Sequence, residues 1–175
     1  MFVIEQLVIQ AQNRDASAFT ELIRIHKQSM YRIAKSYLRN DDDVADAIQD
    51  AILTCFEKLK SLRSPEYFKT WLIKILINKC NDIIKREKRF VSLETIPEEG
   101  HSDTGQSNVE FMMLIDSLDD SYRTVLVLRY GECLSVKEIS RVLGISESAV
   151  KKRLERSREK IKVAYTTCAI GGTLL

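Results

Sequence analysis

The sequence predicts an all-α protein made of two small helical domains joined by a flexible acidic linker, and three observations carry that expectation. Only two prolines and six glycines interrupt 175 residues. Strict alternation of apolar and polar residues is almost absent, while apolar side chains return at three- and four-residue steps through most of the chain. The third observation is charge. The net charge is only +2, yet eight acids and no Lys or Arg lie between Phe90 and Tyr122. On either side, residues 69–89 hold seven basic against two acidic side chains, and residues 147–162 hold seven against three. An acidic divider therefore separates two basic surfaces, and placement says more than the total. A hydrophobic share of 45% suffices for a packed core.

The elements follow in chain order. Phe19, Leu22, Ile23, His26, Met30, Ile33, Ala34 and Tyr37 mark the inner face of a helix that Asp15 or Ser17 can cap. Asp41, Asp42 and Asp43 open a second helix, where the dipole favours acids, with Val44, Ile48, Ala51, Ile52, Cys55 and Leu59 facing inward. Ser64-Pro65-Glu66 reads as a cap with proline at the first helical position, opening a third helix to about Arg89. The segment VSLETIPEEGHSDTGQSN is too polar and too rich in turn residues to order itself. Beyond it, Phe111–Leu118, Tyr122–Tyr130, Val136–Leu143 and Glu147 to about Val163 read as four more helices. The expected organisation is a domain over 1–90, a linker over 91–108, a second domain over 109–165 and an apolar tail over 166–175. That tail either frays or docks Ile170, Leu174 and Leu175 on a neighbour.

Several function classes find no support. Cys55, Cys80, Cys133 and Cys168 form no CxxC pair and lie far in sequence from His26 and His101, so no zinc spacing exists. Reduced, structural cysteines are expected. The N-terminal MFVIEQLVIQ lacks a basic flank and carries Glu5, so no signal peptide is read there, and no apolar run reaches the ~20 residues of a membrane span. A soluble, cytoplasmic protein without a cofactor is expected.

The second basic surface carries a recognisable device. Ser135-Val136-Lys137-Glu138 is a capping box, Gly144 suits the left-handed end of that helix, and Ser146 caps the next. Two helices joined so tightly form a helix-turn-helix, whose second helix enters a DNA major groove. Its N-terminal residues Glu147, Ser148, Lys151 and Lys152 are placed to read base edges, with the cap Ser146 beside them among the expected DNA contacts. Arg153, Arg156 and Arg158 are placed to hold phosphates. In the first half, Lys74, Asn78, Asn81, Lys85 and Lys88 make one polar stripe, with Lys79, Asp82, Arg86 and Arg89 beside it. Asparagines among lysines suit base hydrogen bonding with phosphate pairing, and Trp71 just before the stripe can stack on a base.

Together these segments resemble the extracytoplasmic-function group of sigma factors, sigma-70 family proteins reduced to regions 2 and 4. DAIQDAILTCFEKL resembles the polymerase-binding helix: Asp46 and Gln49 match its pattern, Asp50 stands where Glu is usual and Phe56 where Trp is frequent. FKTWLIKILINKCNDIIKREKR resembles the segment that recognises and melts the −10 element, with Ile77 where a basic residue is common. SLDDSYRTVLVLRYGECLSVKEISRVLGISESAVKKRLERSREKI resembles the segment that binds the −35 element. The resemblance implies core RNA polymerase contacts at Asp46, Gln49, Asp50, Leu53 and Phe56. It implies −10 contacts at Trp71, Lys74, Asn78, Lys79, Asn81, Asp82, Lys85 and Arg86, and a pocket for an unpaired base around residues 62–66. Promoter DNA, core polymerase and an anti-sigma factor are the implied partners, with no enzymatic activity. Two other readings stand beside it. A dimeric helix-turn-helix regulator would bind a palindrome without polymerase, and an enzyme would hold a metal with Asp41, Asp42, Asp43, Asp46 and Asp50.

Overall fold

A computed structural model of the chain describes residues 2–91 and 118–171, with side chains over 3–88 and 118–163. The linker expected over 91–108 apart from Val91, the helix expected at 111–118 apart from Leu118, and the side chains of the tail lie outside the described residues. All regular structure described is helical. The chain divides into two compact units, Met1–Glu98 and Glu99–Leu175.

The first unit opens with a helix that the sequence reading did not assign, α1 (Phe2–Gln12). Val8 anchors it in the core. Asp15 then caps α2 (Ala16–Tyr37), its carboxylate accepting from the amides of Ser17 at 2.9 Å and Ala18 at 3.1 Å. Helix α3 (Asp41–Lys58) takes its cap from Asn40, whose side chain accepts from the Asp42 amide, while Asp41 to Asp43 fill the first turn. Lys35 closes the α2–α3 corner, 2.7 Å from the Asp41 carboxylate and donating to the Arg39 carbonyl at 3.0 Å. Two short 3-10 turns, Leu59–Ser61 and Pro65–Tyr67, lead into α4 (Phe68–Val91). Ser64 occupies the cap position with extended backbone but makes no side-chain cap bond, so proline geometry alone starts that turn, and the α-helix proper begins three residues later than Pro65.

The core of this unit interleaves Leu22, Met30 and Ile33 of α2, Val44, Ala47, Ala51 and Cys55 of α3, and Phe68, Leu72, Leu76 and Cys80 of α4. His26 is buried among them, donating Nδ1–H to the Leu22 carbonyl at 2.8 Å and meeting the Phe68 ring edge-to-face at 5.3 Å. Burial pushes the thiols of Cys55 and Cys80 up to about 12, which makes both inert structural cysteines at neutral pH.

In the second unit, α5 (Asp120–Leu126) passes into a single π turn (Val127–Gly131), then α6 (Val136–Leu143) and α7 (Glu147–Gly171). Helix α7 continues past Val163 into the segment read as a tail. Val125, Leu128, Ile139, Val150 and Leu154 form the core. Arg123 is buried, its guanidinium donating to the Leu118 carbonyl at 2.9 Å, and the buried Ser157 hydroxyl ties α7 to α5 from 3.3 Å of the Tyr122 carbonyl.

Candidate nucleic-acid interface

Local chemistry builds the helix-turn-helix. Ser135 Oγ accepts from the Glu138 amide at 3.2 Å while the Glu138 carboxylate accepts from the Ser135 amide at 2.8 Å, so both halves of the capping box form. Gly144 adopts φ 66°, the left-handed conformation that turns the chain out of α6. Ser140 Oγ donates to the Ile145 carbonyl at 2.6 Å, and Ser146 Oγ accepts from the Ala149 amide at 3.2 Å, capping α7. The exit from the π turn is pinned by Arg129, whose guanidinium donates to the Leu134 carbonyl at 2.9 Å.

On α7, Val150, Leu154 and Ser157 are buried, and Glu147, Ser148, Lys151, Lys152, Arg156 and Arg158 are exposed, with Arg153 half-buried. The cations differ in their freedom. Among the described residues Lys151, Lys152 and Arg156 are in no ion pair or hydrogen bond to another side chain. Arg158, by contrast, donates Nε–H to the Tyr130 hydroxyl at 2.9 Å and leans over that ring at 5.9 Å. Lys160 lies 2.7 Å from the Asp119 carboxylate and 4.8 Å from the Tyr122 ring, and its hydrogen bond and charge hold Asp119 below the usual carboxylate range. Ser146 is occupied as the cap and by its 3.0 Å contact with the Ser148 hydroxyl.

The second basic surface lies on α4. Lys74, Asn78, Asp82, Lys85, Arg86 and Lys88 are exposed, and Trp71, Lys79 and Asn81 are half-buried; Arg89 lies outside the described side chains. Trp71 rests against Phe68 with ring centroids 6.2 Å apart. Ile77, which stands where a basic residue is common in the resembled motif, is only 2% exposed and belongs to the core, so it makes no outward contact. Near the helix end the Glu87 carboxyl is pushed up, first by partial burial and then by the neighbouring Asp43.

A third surface runs along α3. Asp46, Gln49, Asp50, Leu53 and Phe56 recur at helical spacing on its outer side, all exposed, and Leu53 and Phe56 are 56% and 62% accessible. Phe56 keeps its place by an edge-to-face contact with Phe19 of α2 at 5.1 Å. This face thus sets two exposed apolar side chains beside two acids and an amide. The aspartates do not make a metal site: among the described residues no group of three or more His, Cys, Asp or Glu side chains could hold an ion. No helix among them is long and apolar enough to cross a membrane.

Comparison with known proteins matches both units. The profile of Sigma-70 region 2 covers residues 22–90, and that of Sigma-70 region 4 covers residues 108–161. The RNA polymerase sigma factor SigV of Bacillus subtilis is 32% identical over 149 residues, 81% of this chain and 87% of its own length. The chain belongs to the extracytoplasmic-function sigma factors of the sigma-70 family. Further relatives are the ECF sigma factor SigW of the same bacterium, 28% identical over 91% of this chain and 95% of its own, and the ECF sigma-E factor of Escherichia coli K12, 28% identical over 89% and 90%. Among solved structures, CnrH in complex with the cytosolic domain of CnrY matches with a TM-score of 0.68 at 25% identity, covering 94% of this chain and 98% of that one. The sigma factor RpoE of Bartonella quintana shares the fold at a TM-score of 0.71 and 18% identity, covering 85% of this chain and 96% of that one. This sigma factor is thus an alternative sigma factor, and a polymerase-independent regulator is not favoured.

Helix α1 lies ahead of the region 2 match and carries a residue absent from the sequence-based site. Gln12 donates its side-chain amide to the carbonyls of Leu59 at 3.0 Å and Leu62 at 2.8 Å. A glutamine at a helix end gives no local signal of a partner so far along the chain.

Proposed function

We propose that this sigma factor binds core RNA polymerase through the outer face of α3 and engages a promoter with α7 at the −35 element and α4 at the −10 element. One observation carries the proposal: each compact unit presents an exposed basic helix, and the first also presents an acidic and apolar face on a different helix. Asp46, Gln49 and Asp50 would pair with basic groups of polymerase, while Leu53 and Phe56 supply the buried anchor. On α7, Glu147, Ser148, Lys151 and Lys152 would meet base edges, and Arg153 and Arg156 the phosphates, with Arg158 oriented by Tyr130 and Ser146 chiefly setting the helix start. On α4, Lys74, Lys79, Lys85 and Arg86 would hold the backbone near the −10 element, and Asn78, Asn81, Asp82 and Trp71 would touch bases.

The bend before α4 is where an unpaired base would sit. Leu62 and Ser64 have extended backbone, Ser64 keeps its side chain out of capping, and Tyr67 is exposed beside them. Extruding a base costs a few kcal/mol, so holding it there couples recognition to melting. The proposed organisation is region 2 over 1–90, a linker over 91–108, region 4 over 109–165 and an apolar tail over 166–175, acting in the bacterial cytoplasm. An anti-sigma partner is part of the proposal through the family; CnrH, similar over 94% of this chain, was solved with the cytosolic domain of another protein.

The test is reconstituted transcription: bacterial core polymerase with and without this chain on fragmented genomic DNA, with RNA 5′ ends sequenced. The expected result is starts that need the chain and share two spaced upstream motifs. Absence of new starts, together with polymerase-independent binding to a palindrome, would reject the proposal.

A further inference from the structure

We propose that Gln12 is a positioning residue for −10 recognition: its side-chain amide fixes the bend between α3 and α4 in the shape that receives the unpaired base. The proposal rests on the reading of that bend given above. Three features of the fold carry it. First, the bend has little local support. The turn Leu59–Ser61 is held by the Leu62 amide to Leu59 carbonyl bond of 3.1 Å and by the Ser61 hydroxyl to Lys58 carbonyl at 2.7 Å, the next turn by the Tyr67 amide to Ser64 carbonyl at 3.1 Å and the Phe68 amide to Pro65 carbonyl, while Ser64 contributes no side-chain cap and none of these bonds holds the Leu62 carbonyl. Second, both carbonyls that Gln12 holds lie at the entrance of the bend, Leu59 in the turn and Leu62 at its extended exit. One primary amide has two N–H groups and can satisfy both at once, which locks their spacing. Third, α1 packs on both 3-10 turns, and Val8 seats it in the core, so the amide is delivered from a fixed platform.

The physical consequence concerns preorganisation. A loop that must receive an extruded base loses affinity for it if the loop has to be ordered at the moment of binding. Gln12 makes that ordering part of folding. The same two bonds tie α1, which precedes the region 2 match, to the segment proposed for base capture.

The experiment uses the full chain bound to core polymerase. Gln12→Met keeps the length of the side chain and removes both donors, and Gln12→Glu keeps the shape and turns an oxygen toward the two carbonyls. The probes are single-stranded oligonucleotides bearing the −10 element mapped by transcription, intact or made abasic at each position in turn. The reading is the ratio of affinities, intact over abasic, at the position where the wild type discriminates most. Q12M should reduce that ratio about five- to tenfold, the loss expected for one or two hydrogen bonds, and Q12E at least as much. Affinity for core polymerase and for a −35 duplex should remain those of the wild type. A purely structural role would shift the unfolding midpoint and leave the ratio intact, and that outcome overturns the proposal. Equal affinities for intact and abasic strands in the wild type would instead remove the base-capture reading, and this inference with it.

Discussion

Between α6 and α7 the chain reverses on hydrogen bonds that span at most five residues, from the Ser140 hydroxyl to the Ile145 carbonyl and from the Ile145 amide back to the Ser140 carbonyl. Between α3 and α4 it bends on carbonyls held by a side chain 47 and 50 residues earlier. The first turn uses a glycine at φ 66° and a serine cap; the second uses a proline, an uncapped serine and a helix from elsewhere in the sequence. Under the proposed function, a helix that is to dock on DNA as a rigid rod gains from a turn its own residues specify. A bend that, under the same proposal, is to present a shaped surface gains from support outside it, which satisfies backbone carbonyls that its own turns leave open.

The largest effect that tests this contrast is expected from Phe68→Ala. Phe68 is fully buried and carries both His26 and Trp71, so its loss should destabilise the first unit by about 3–5 kcal/mol. Urea unfolding followed by Trp71 fluorescence reads this unit alone, since the chain has one Trp. Cys55 and Cys80 should become open to alkylation at neutral pH in the same step, having been protected by burial. An unmoved Trp71 transition would show that the α4 bend is not supported by the core beneath it.

A smaller effect is expected at Gly144, where an added Cβ meets nothing within 4 Å. Gly144→Ala should therefore cost only the backbone term, about 1 kcal/mol, and Gly144→Val about 2 kcal/mol or more, because a branched side chain tolerates positive φ least. The check is unfolding monitored by circular dichroism alongside binding to a −35 duplex. No loss in either variant would mean that packing, not the local turn, sets the angle between α6 and α7.

The smallest effect is at Lys160, within α7. The Lys160 partner lowers the Asp119 pKa, so its stabilisation is present above the ordinary carboxylate value of 3.8 and fades as pH falls through the lower folded-state value. Asp119 is exposed, so the influence on stability is slight. A carboxylate titration by NMR should place Asp119 below that value, and Lys160→Met should return it there. An unchanged Asp119 midpoint in Lys160→Met would show that the pair does not tie α5 to α7 in solution.

What the sequence by itself determined is whatever is encoded within one or two helical turns. The capping box at Ser135 and Glu138, the left-handed Gly144, the Asp15 cap and the apolar faces of α2, α3 and α4 follow from residues three or four apart, and the structure forms each of them. The stripe on α4 was legible for the same reason, since helical spacing alone gathers it on one side, whereas the row from Asp46 to Phe56 was singled out by the resemblance to the polymerase-binding helix. Tertiary structure decided what spacing cannot reach. It made α1 a helix by giving Val8 a core to enter, although an isolated helix of that length is marginal in water. It left Ser64 without a side-chain cap bond and turned Arg158 toward Tyr130. Above all it brought Gln12 to Leu59 and Leu62, because a hydrogen bond across 50 residues depends on where two packed helices place their ends, and no local pattern records that.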